Sequence, residues 1–593
     1  MNKFIKYSLL SLVLASIISF FVIRIHRTNN KHKNEITNFL RFSQKQGFYT
    51  EPFELKIKNT NPEDTIYYTL DGSIPTKKSF VYKSPVKIDY KYNSPNIISK
   101  IQTVSDAVLK KNFFLKPFAD SIVFKATVIR VVTYRDNIPR SKVYTYTFFV
   151  DSVIYSRYSM PIISLVTDAN NFFSYDKGIY VPGKYYDKTN PVWSGNHYQK
   201  GKEWERPVNI TFFEKNGDIA FSQDAGIRIN GLGTRRYPFK PFRLYARNKY
   251  GNKYFNYRLF PEKEQNIFKR FVLRTAMGSE KNGFKDALIH NIAKNLNLDI
   301  QDSRPVIVFL NGEYWGLYKV RDYFDEYYLS LKYGFDKDKF DILTGINTVI
   351  VKQGSKEHYD NLINFIKEND LSYSGGQKNY EYIKTQMDIE NFIDYQITNI
   401  YFNNMDWLGQ ENNTKFWRPQ INGGKWRWFL CDFDDACMLE YNYDFNLLKH
   451  IVDTDKQHTD MSTFFIKNLL KNDEFKNQFI NRFIFLMNTT FCPDTVLSKI
   501  DKFKKNYQRE VEKNFNRWFK TDYKTISMFS GQYLDTNYVS FTVFWHDIIN
   551  KSLKDFVVKR PYYMKKFLIK EFGLEQDSLY NFEELYKKKI KKY

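Results

Sequence analysis

Three carboxylates fall within four residues in Cys431-Asp432-Phe433-Asp434-Asp435. In an extended segment, side chains alternate, so Asp432 and Asp434 would point the same way. Two carboxylates that close need a cation between them, or one must keep its proton. Oxygen ligands with no thiolate or imidazole cluster nearby suit Mg2+, Mn2+ or Ca2+. A solvated acidic turn would read the same way, and this segment alone does not choose. An EF-hand is excluded, because no Gly sits at the sixth loop position and no Glu at the twelfth.

A second set lies upstream, in Asn403-Asn404-Met405-Asp406-Trp407 followed by Asn412-Asn413. An Asp at a helix exit, with Asn a few residues on, suits phosphoryl transfer. The Asp takes or orients the acceptor proton, and the Asn helps hold a metal. Helix caps and turns use the same residue types. A third set is Asn230-Gly231-Leu232-Gly233-Thr234-Arg235-Arg236-Tyr237-Pro238-Phe239-Lys240. A glycine-containing bend followed by cations can cradle phosphates through backbone N–H groups and charge. It matches neither G-x-x-x-x-G-K-[ST] nor G-x-G-x-x-G.

These residues need elements to hold them. Lys425 to Leu430 alternates as a strand with large side chains on both faces, which predicts a central strand running into the acids. Ile389 to Phe402 reads as a helix leading to Asp406. Ile227-Arg228-Ile229 and Phe242 to Tyr245 read as strands flanking the glycine bend. Pro305 to Leu310 and Tyr314 to Tyr318 form a hairpin around Asn311-Gly312. Asp286 to Leu296 is a helix with Ala287, Leu288, Ile292 and Leu296 on one face. Beyond Asp460 the pattern is helical, around Phe464 to Met487 and Val496 to Phe515. Residues 51–150 carry short alternating runs and an Asp71-Gly72 turn, which predicts a small antiparallel β-sandwich.

With 593 residues the chain exceeds one ordinary core. The expected organisation is a leader or anchor over 1–35, a sandwich over 45–150, an α+β core over 151–455 and a helical part over 456–593. Lys and Arg number 90 against 65 Asp and Glu, a net charge of +25. That balance favours polyanionic partners, but the Lys is spread along the chain, so a solvated basic surface is the better reading. Nucleic-acid binding would rest on charge alone and ranks last. The three cysteines have no C-x-x-C or Cys/His spacing, which excludes a disulfide framework and argues against structural zinc. Lys3 and Lys6 precede an apolar run from Tyr7 to Ile23, followed by Arg24, His26 and Arg27. No small-x-small pattern closes it, so an uncleaved membrane anchor is expected, with the bulk of the chain outside the cytoplasm.

Two resemblances add to this. Tyr67-Tyr68-Thr69-Leu70-Asp71-Gly72-Ser73-Ile74-Pro75-Thr76 resembles the Y-T-x-D-G-x-x-P-T signature of the chitobiase/β-hexosaminidase C-terminal-type module, where it is a turn device. From about Pro161 to Leu439 the chain resembles the spore coat protein H (CotH) kinase family. The marks are Gly226-Ile227-Arg228-Ile229-Asn230-Gly231 with Pro238-x-Lys240, then Leu273-Arg274 and Asn311-Gly312-Glu313-Tyr314-Trp315-Gly316-Leu317-Tyr318. After them come Asn404-x-Asp406-Trp407 with Asn412-Asn413, Asp432-x-Asp434, and Arg560-Pro561 near the C-terminus.

That resemblance implies an atypical protein kinase-like domain with a helical C-terminal part. It implies ATP- and Mg2+- (or Mn2+-) dependent phosphorylation of Ser/Thr hydroxyls on secreted or surface proteins. Asp406 would be catalytic, Asp432 would bind the metal and Asp434 would assist. Arg228, Lys240 and Arg274 would face the nucleotide, and Asn412 or Asn413 would orient it or the metal. The first alternative is a surface assembly protein with a kinase-like fold and no turnover. A glycan hydrolase ranks below it, because Asp432 and Asp434 are too close in sequence to flank a glycosidic bond.

Overall fold

The computed structural model describes residues 40–112, 114–276, 282–409, 411–437, 442–452, 461–520 and 540–575. The expected anchor over 1–35 and the basic run 587–592 lie outside these residues. Among the described residues no helix is long and apolar enough to cross a membrane. The fold is α+β, and its contacts divide the chain into two units.

The described part of the first unit comprises residues 40–90 and 126–152. Its strands are β1 (Gly47–Tyr49), β2 (Thr65–Thr69), β3 (Phe80–Val81), β4 (Thr127–Arg135) and β5 (Tyr144–Val150). They pair in the order β1-β5-β4-β2-β3. Short pairs, Leu40–Phe42 with Ile57–Asn59 and Phe53–Leu55 with Val86–Ile88, add to it. Leu55, Ile57, Ile66, Ile88, Ile129, Val131 and Phe148 form one apolar core. The Asp71 carboxylate accepts the Ser73 N–H at 2.9 Å and fixes the turn after β2.

Residues 91–125 interrupt the expected sandwich and group with the second unit. There the Glu313 carboxylate accepts the N–H groups of Ile97 and Ser99 at 2.6 and 2.8 Å.

In the second unit a barrel closes from β6 (Ile162–Val166), β7 (Arg206–Phe213), β8 (Ile219–Ile229), β9 (Phe242–Tyr245), β10 (Arg270–Thr275), β11 (Ser303–Leu310) and β12 (Glu313–Arg321). The order is β6-β7-β8-β9-β10-β12-β11, and β11 returns to β6 in parallel. Registry sorts the side chains into two faces. Ile229, Phe242, Leu273 and Val320 share one row and are buried, as are Ile227, Leu244 and Phe271. The opposite face therefore carries Arg228 beside Arg243, and Arg274 beside Lys319, with Arg321 two residues on.

The hairpin between β11 and β12 turns at Asn311 and Gly312, both at positive φ (45° and 83°), as a tight two-residue turn requires. The aromatic string after it docks a helix. Gly316 has φ +138°, and a Cβ there would meet the Asn514 side-chain oxygen at 2.6 Å. That oxygen accepts the Leu317 N–H at 2.8 Å, and the Trp518 indole donates to the Trp315 carbonyl at 3.0 Å.

Helix α1 (Lys285–Ile292) follows β10, and α2 (Glu326–Tyr333) follows β12. A second sheet holds β13 (Phe340–Thr344), β14 (Ile350–Gln353), β15 (Lys415–Pro419) and β16 (Arg427–Trp428), ordered β14-β13-β15-β16. The strand expected over 425–430 is thus only two residues long and lies at the edge. Its flanks are held by single bridges instead of a ladder: Trp426 N–H donates to the Gln386 carbonyl, and Leu430 N–H to that of Asp299.

Among the further helices of the unit are α3 (Ile389–Tyr401), α4 (Asp406–Gly409), α5 (Met461–Leu469), α6 (Asp473–Asn488), α7 (Pro493–Trp518) and α8 (Asp555–Phe572). Asn472 caps α6 by accepting the Phe475 N–H, which splits the long run expected over 464–487. Arg560 of α8 is fully buried and clamps the end of α3. It donates to the carbonyls of Ile400, Tyr401, Tyr443 and Phe445 and to the Asn403 side chain, at 2.7–2.9 Å.

Candidate active site

The acids reach their places from three separate segments. Cys431 lies in an apolar cluster with Phe324, Phe340, Trp417 and Phe429, and burial pushes its thiol up to about 11, so it acts as packing. The next residue, Asp432, takes a left-handed conformation (φ 42°), which is costly for a residue with a side chain. Two contacts hold it there. Asn404 donates its side-chain N–H to the Asp432 carbonyl at 3.0 Å, and Phe433 N–H donates to Asp286 Oδ1 at 3.0 Å. Asn404 is itself fixed to Asn399 through its backbone N–H (3.0 Å) and its side chain (2.8 Å). The segment is therefore bent where an extended one was expected, yet its carboxylates still converge.

They converge on Arg274. Its Nη2 donates to Asp432 Oδ1 at 2.8 Å and to Asp434 Oδ2 at 2.6 Å, and Nη1 lies 3.9 Å from Asp286 Oδ2. Arg321 pairs with Asp286 from the next strand. One carboxylate oxygen from each of Asp286, Asp432 and Asp434 falls within 4.8 Å of the others. Asp286 and Asp434 are buried, whereas the Asp432 side chain keeps 30% of its exposure. Burial alone would raise the Asp286 pKa, but Arg321 and Arg274 hold it well below the carboxylate range. Burial raises that of Asp432, against the pull of Arg274.

Asp406 opens α4 beside this cluster. Burial, then the charges of Asp435, Asp432 and Asp434, push its pKa up to about 8. Lys319 is fully buried under residue 283, whose carbonyl it faces at 3.2 Å, and burial lowers its pKa well below the usual value. Burial and neighbouring carboxylates thus favour the protonated form of Asp406. The donor set is hard oxygen throughout, and the buried Asn404 Oδ1 has no hydrogen-bond partner among the described residues. A small divalent cation fits this set.

The structure brings Asp406, Asp432, Asp434 and Arg274 together. Arg228 stands elsewhere on the cationic face, paired with Glu205 at 2.8 Å and stacked 4.5 Å above the Tyr245 ring; Arg247 and Lys249 share that carboxylate. Lys240 does not face a phosphate site. It is fully buried, and its ammonium donates to the carbonyls of Thr103 and Tyr237, both at 2.9 Å. Burial lowers its pKa well below the usual value. Its position two residues before β9 turns it away from the Arg228–Arg243 row. Asn412 and Asn413 sit in the turn before β15, with no side-chain hydrogen bond to the acids among the described residues.

Sequence reasoning missed Asp286, Lys319 and Arg321 as site residues, and it singled out Asn404 within its motif without giving it a role. The signal for Asp286 was a charge opening a helix otherwise read for its apolar face. Lys319 and Arg321 showed as cations two apart in a strand, but only pairing places them beside Arg274.

The family model described as CotH kinase protein matches residues 227–564, more than half of the chain. This chain belongs to that family. A second model, described as Fn3 associated, matches residues 49–148. The N-terminal module is therefore an Fn3-associated one and not the chitobiase type. The Tyr67–Thr76 string is a local turn built from an Asp carboxylate and a glycine, which more than one kind of sandwich can use. No curated protein matches the chain.

Proposed function

We propose that this protein is an ATP- and Mg2+-dependent kinase that phosphorylates Ser or Thr hydroxyls of other proteins. The observation that carries the reading is the convergence of Asp286, Asp432 and Asp434 beside Asp406, whose proton affinity is raised by burial and by the charges of Asp435, Asp432 and Asp434. Asp432 and Asp434 would hold Mg2+, with Asp286 behind them. When bound, the ion supplies charge neutralisation to the phosphate oxygens. If Asp432 and Asp434 served as ligands, their part of the repulsion on Asp406 would be relieved, leaving burial and Asp435 to raise its proton affinity, and more of it would be ionised. It then accepts the acceptor hydroxyl's proton as that oxygen bonds to the γ-phosphorus and the bond to the leaving ADP oxygen breaks. Arg274, with Arg228 and Arg243 further along the same face, offers charge to the triphosphate.

Labelled ATP, Mg2+ or Mn2+ and a generic acceptor protein test this. Transfer that disappears in Asp406→Ala and Asp432→Ala is expected. No transfer and no nucleotide-dependent thermal shift would sink it.

One observation favours a second reading, a surface assembly protein without turnover. Arg274 already bridges Asp432 and Asp434, so the fold neutralises them without an ion. The same assay decides. For localisation the proposal is anchoring through Tyr7 to Ile23, with the two units outside the cytoplasm.

A further inference from the structure

Helix α2 and the hairpin that pairs Phe255–Asn256 with Ile267–Phe268 border a groove of about 400 Å3. Lys253, Tyr254, Tyr327, Leu331, Phe335 and Lys337 line it. Through Tyr327 and Leu331 it continues into a smaller recess with Lys269 and Arg270. Leu331 is 40% exposed there.

The cations around the groove do not outnumber the acids, but they do not all pair. Arg270 is met by Asp325 and Glu326 at 2.5 and 2.6 Å, and Lys337 by Asp338. Exposed Asp336 at the rim accepts the Asp338 N–H. Lys253 and Lys269 form no ion pair among the described residues. The Lys269 ammonium donates to the Lys253 carbonyl at 3.0 Å and lies 5.4 Å from the Tyr254 ring and 5.7 Å from that of Tyr327. Lys253 stands 5.5 Å over Tyr254. Burial, then Arg247, Arg270 and Lys253, lower the Lys269 pKa. Ring faces stand where a carboxylate would be expected.

We propose that this groove docks an acidic segment of the protein substrate, with carboxylates on Lys253 and Lys269 and an apolar side chain against Tyr254, Tyr327 and Leu331. The word substrate rests on the kinase reading; the binding does not. Lys269 immediately precedes β10, and Arg274 lies five residues along it, about 16 Å in extended chain. A docked segment needs at least about five extended residues to reach the level of Arg274, on the way to Asp406. The recognised feature is a Ser or Thr spaced from an acidic, leucine-bearing stretch.

The test is fluorescence anisotropy with the full chain and no nucleotide or metal. The probe is a labelled peptide with Ser, a four-glycine spacer and Glu-Leu-Glu-Leu-Glu; a second peptide carries Lys for each Glu. The acidic peptide is expected to bind with salt-sensitive affinity, and the basic one not to bind. Lys253→Gln with Lys269→Gln should weaken binding about tenfold or more with unchanged circular dichroism and Tm. Leu331→Glu, on an exposed position, should also weaken it. Equal binding by the double variant, or equal binding of both peptides, overturns the proposal. So does displacement by inorganic phosphate where NaCl at the same ionic strength has no effect, which would assign the lysines to a small anion. Phosphotransfer plays no part in this readout, so a failure of the kinase reading leaves it interpretable.

Discussion

At Asp406, burial and three neighbouring carboxylates act in the same direction, and the result is a pKa of about 8. Asp406→Asn should therefore leave the metal ligands in place and remove only the proton acceptor. Labelled-ATP transfer should fall by about 10²–10⁴-fold, while Mn2+ binding followed by electron paramagnetic resonance stays unchanged. Arg274 gives the opposite experiment. Arg274→Gln leaves Asp432 and Asp434 without their bridge, and breaking such a partly buried pair costs about 3–5 kcal/mol. The variant should have a lower Tm than the parent, and Mg2+ should raise its Tm more than it raises the parent's. Equal Mg2+ shifts in both would mean that the ion does not bind between these acids.

Elements place these residues through contacts far from the chemistry. The hairpin of β11 and β12 accepts helix α7 only because Gly316 leaves room for Asn514. Gly316→Ala should lower stability by more than about 1 kcal/mol in urea denaturation, since it adds both strain at positive φ and a clash. His197 reports on the loop packed beside Lys240. Burial, then the Lys240 charge, lower its pKa to about 3, while its Nδ1 contacts the Val181 carbonyl at 3.0 Å. A depressed histidine is neutral in the fold, so below about pH 6.5 the unfolded chain binds more protons. Stability should fall as pH drops from 6.5 towards 3, by up to about 1.4 kcal/mol per pH unit from this group. Urea midpoints at pH 7 and pH 5 should differ less in His197→Gln than in the parent.

For the whole molecule, two units and a proposed anchor make separate claims. Deleting residues 1–30 should move the protein from the membrane to the soluble fraction, with thermal unfolding of the described units unchanged; membrane retention would remove the anchor. The sequence by itself determined the local features. Alternation marked the strands flanking the glycine bend, Asn311-Gly312 marked its hairpin, and helical spacing marked α3 and α7, because each depends on neighbours a few residues away. It also put Asp406, Asp432 and Asp434 forward by type and spacing. Tertiary structure alone decided the rest. Registry in the barrel set Arg274, Lys319 and Arg321 on one face, and Arg274 at the end of β10 reached acids more than 150 residues away. Asp286 joined them from a helix that the chain places between. Lys240, a cation in the expected position, went to the interior because two carbonyls there could satisfy it. Spacing along the chain cannot show which side of a strand a charge will leave from once the strand has partners, and that choice assembled this site.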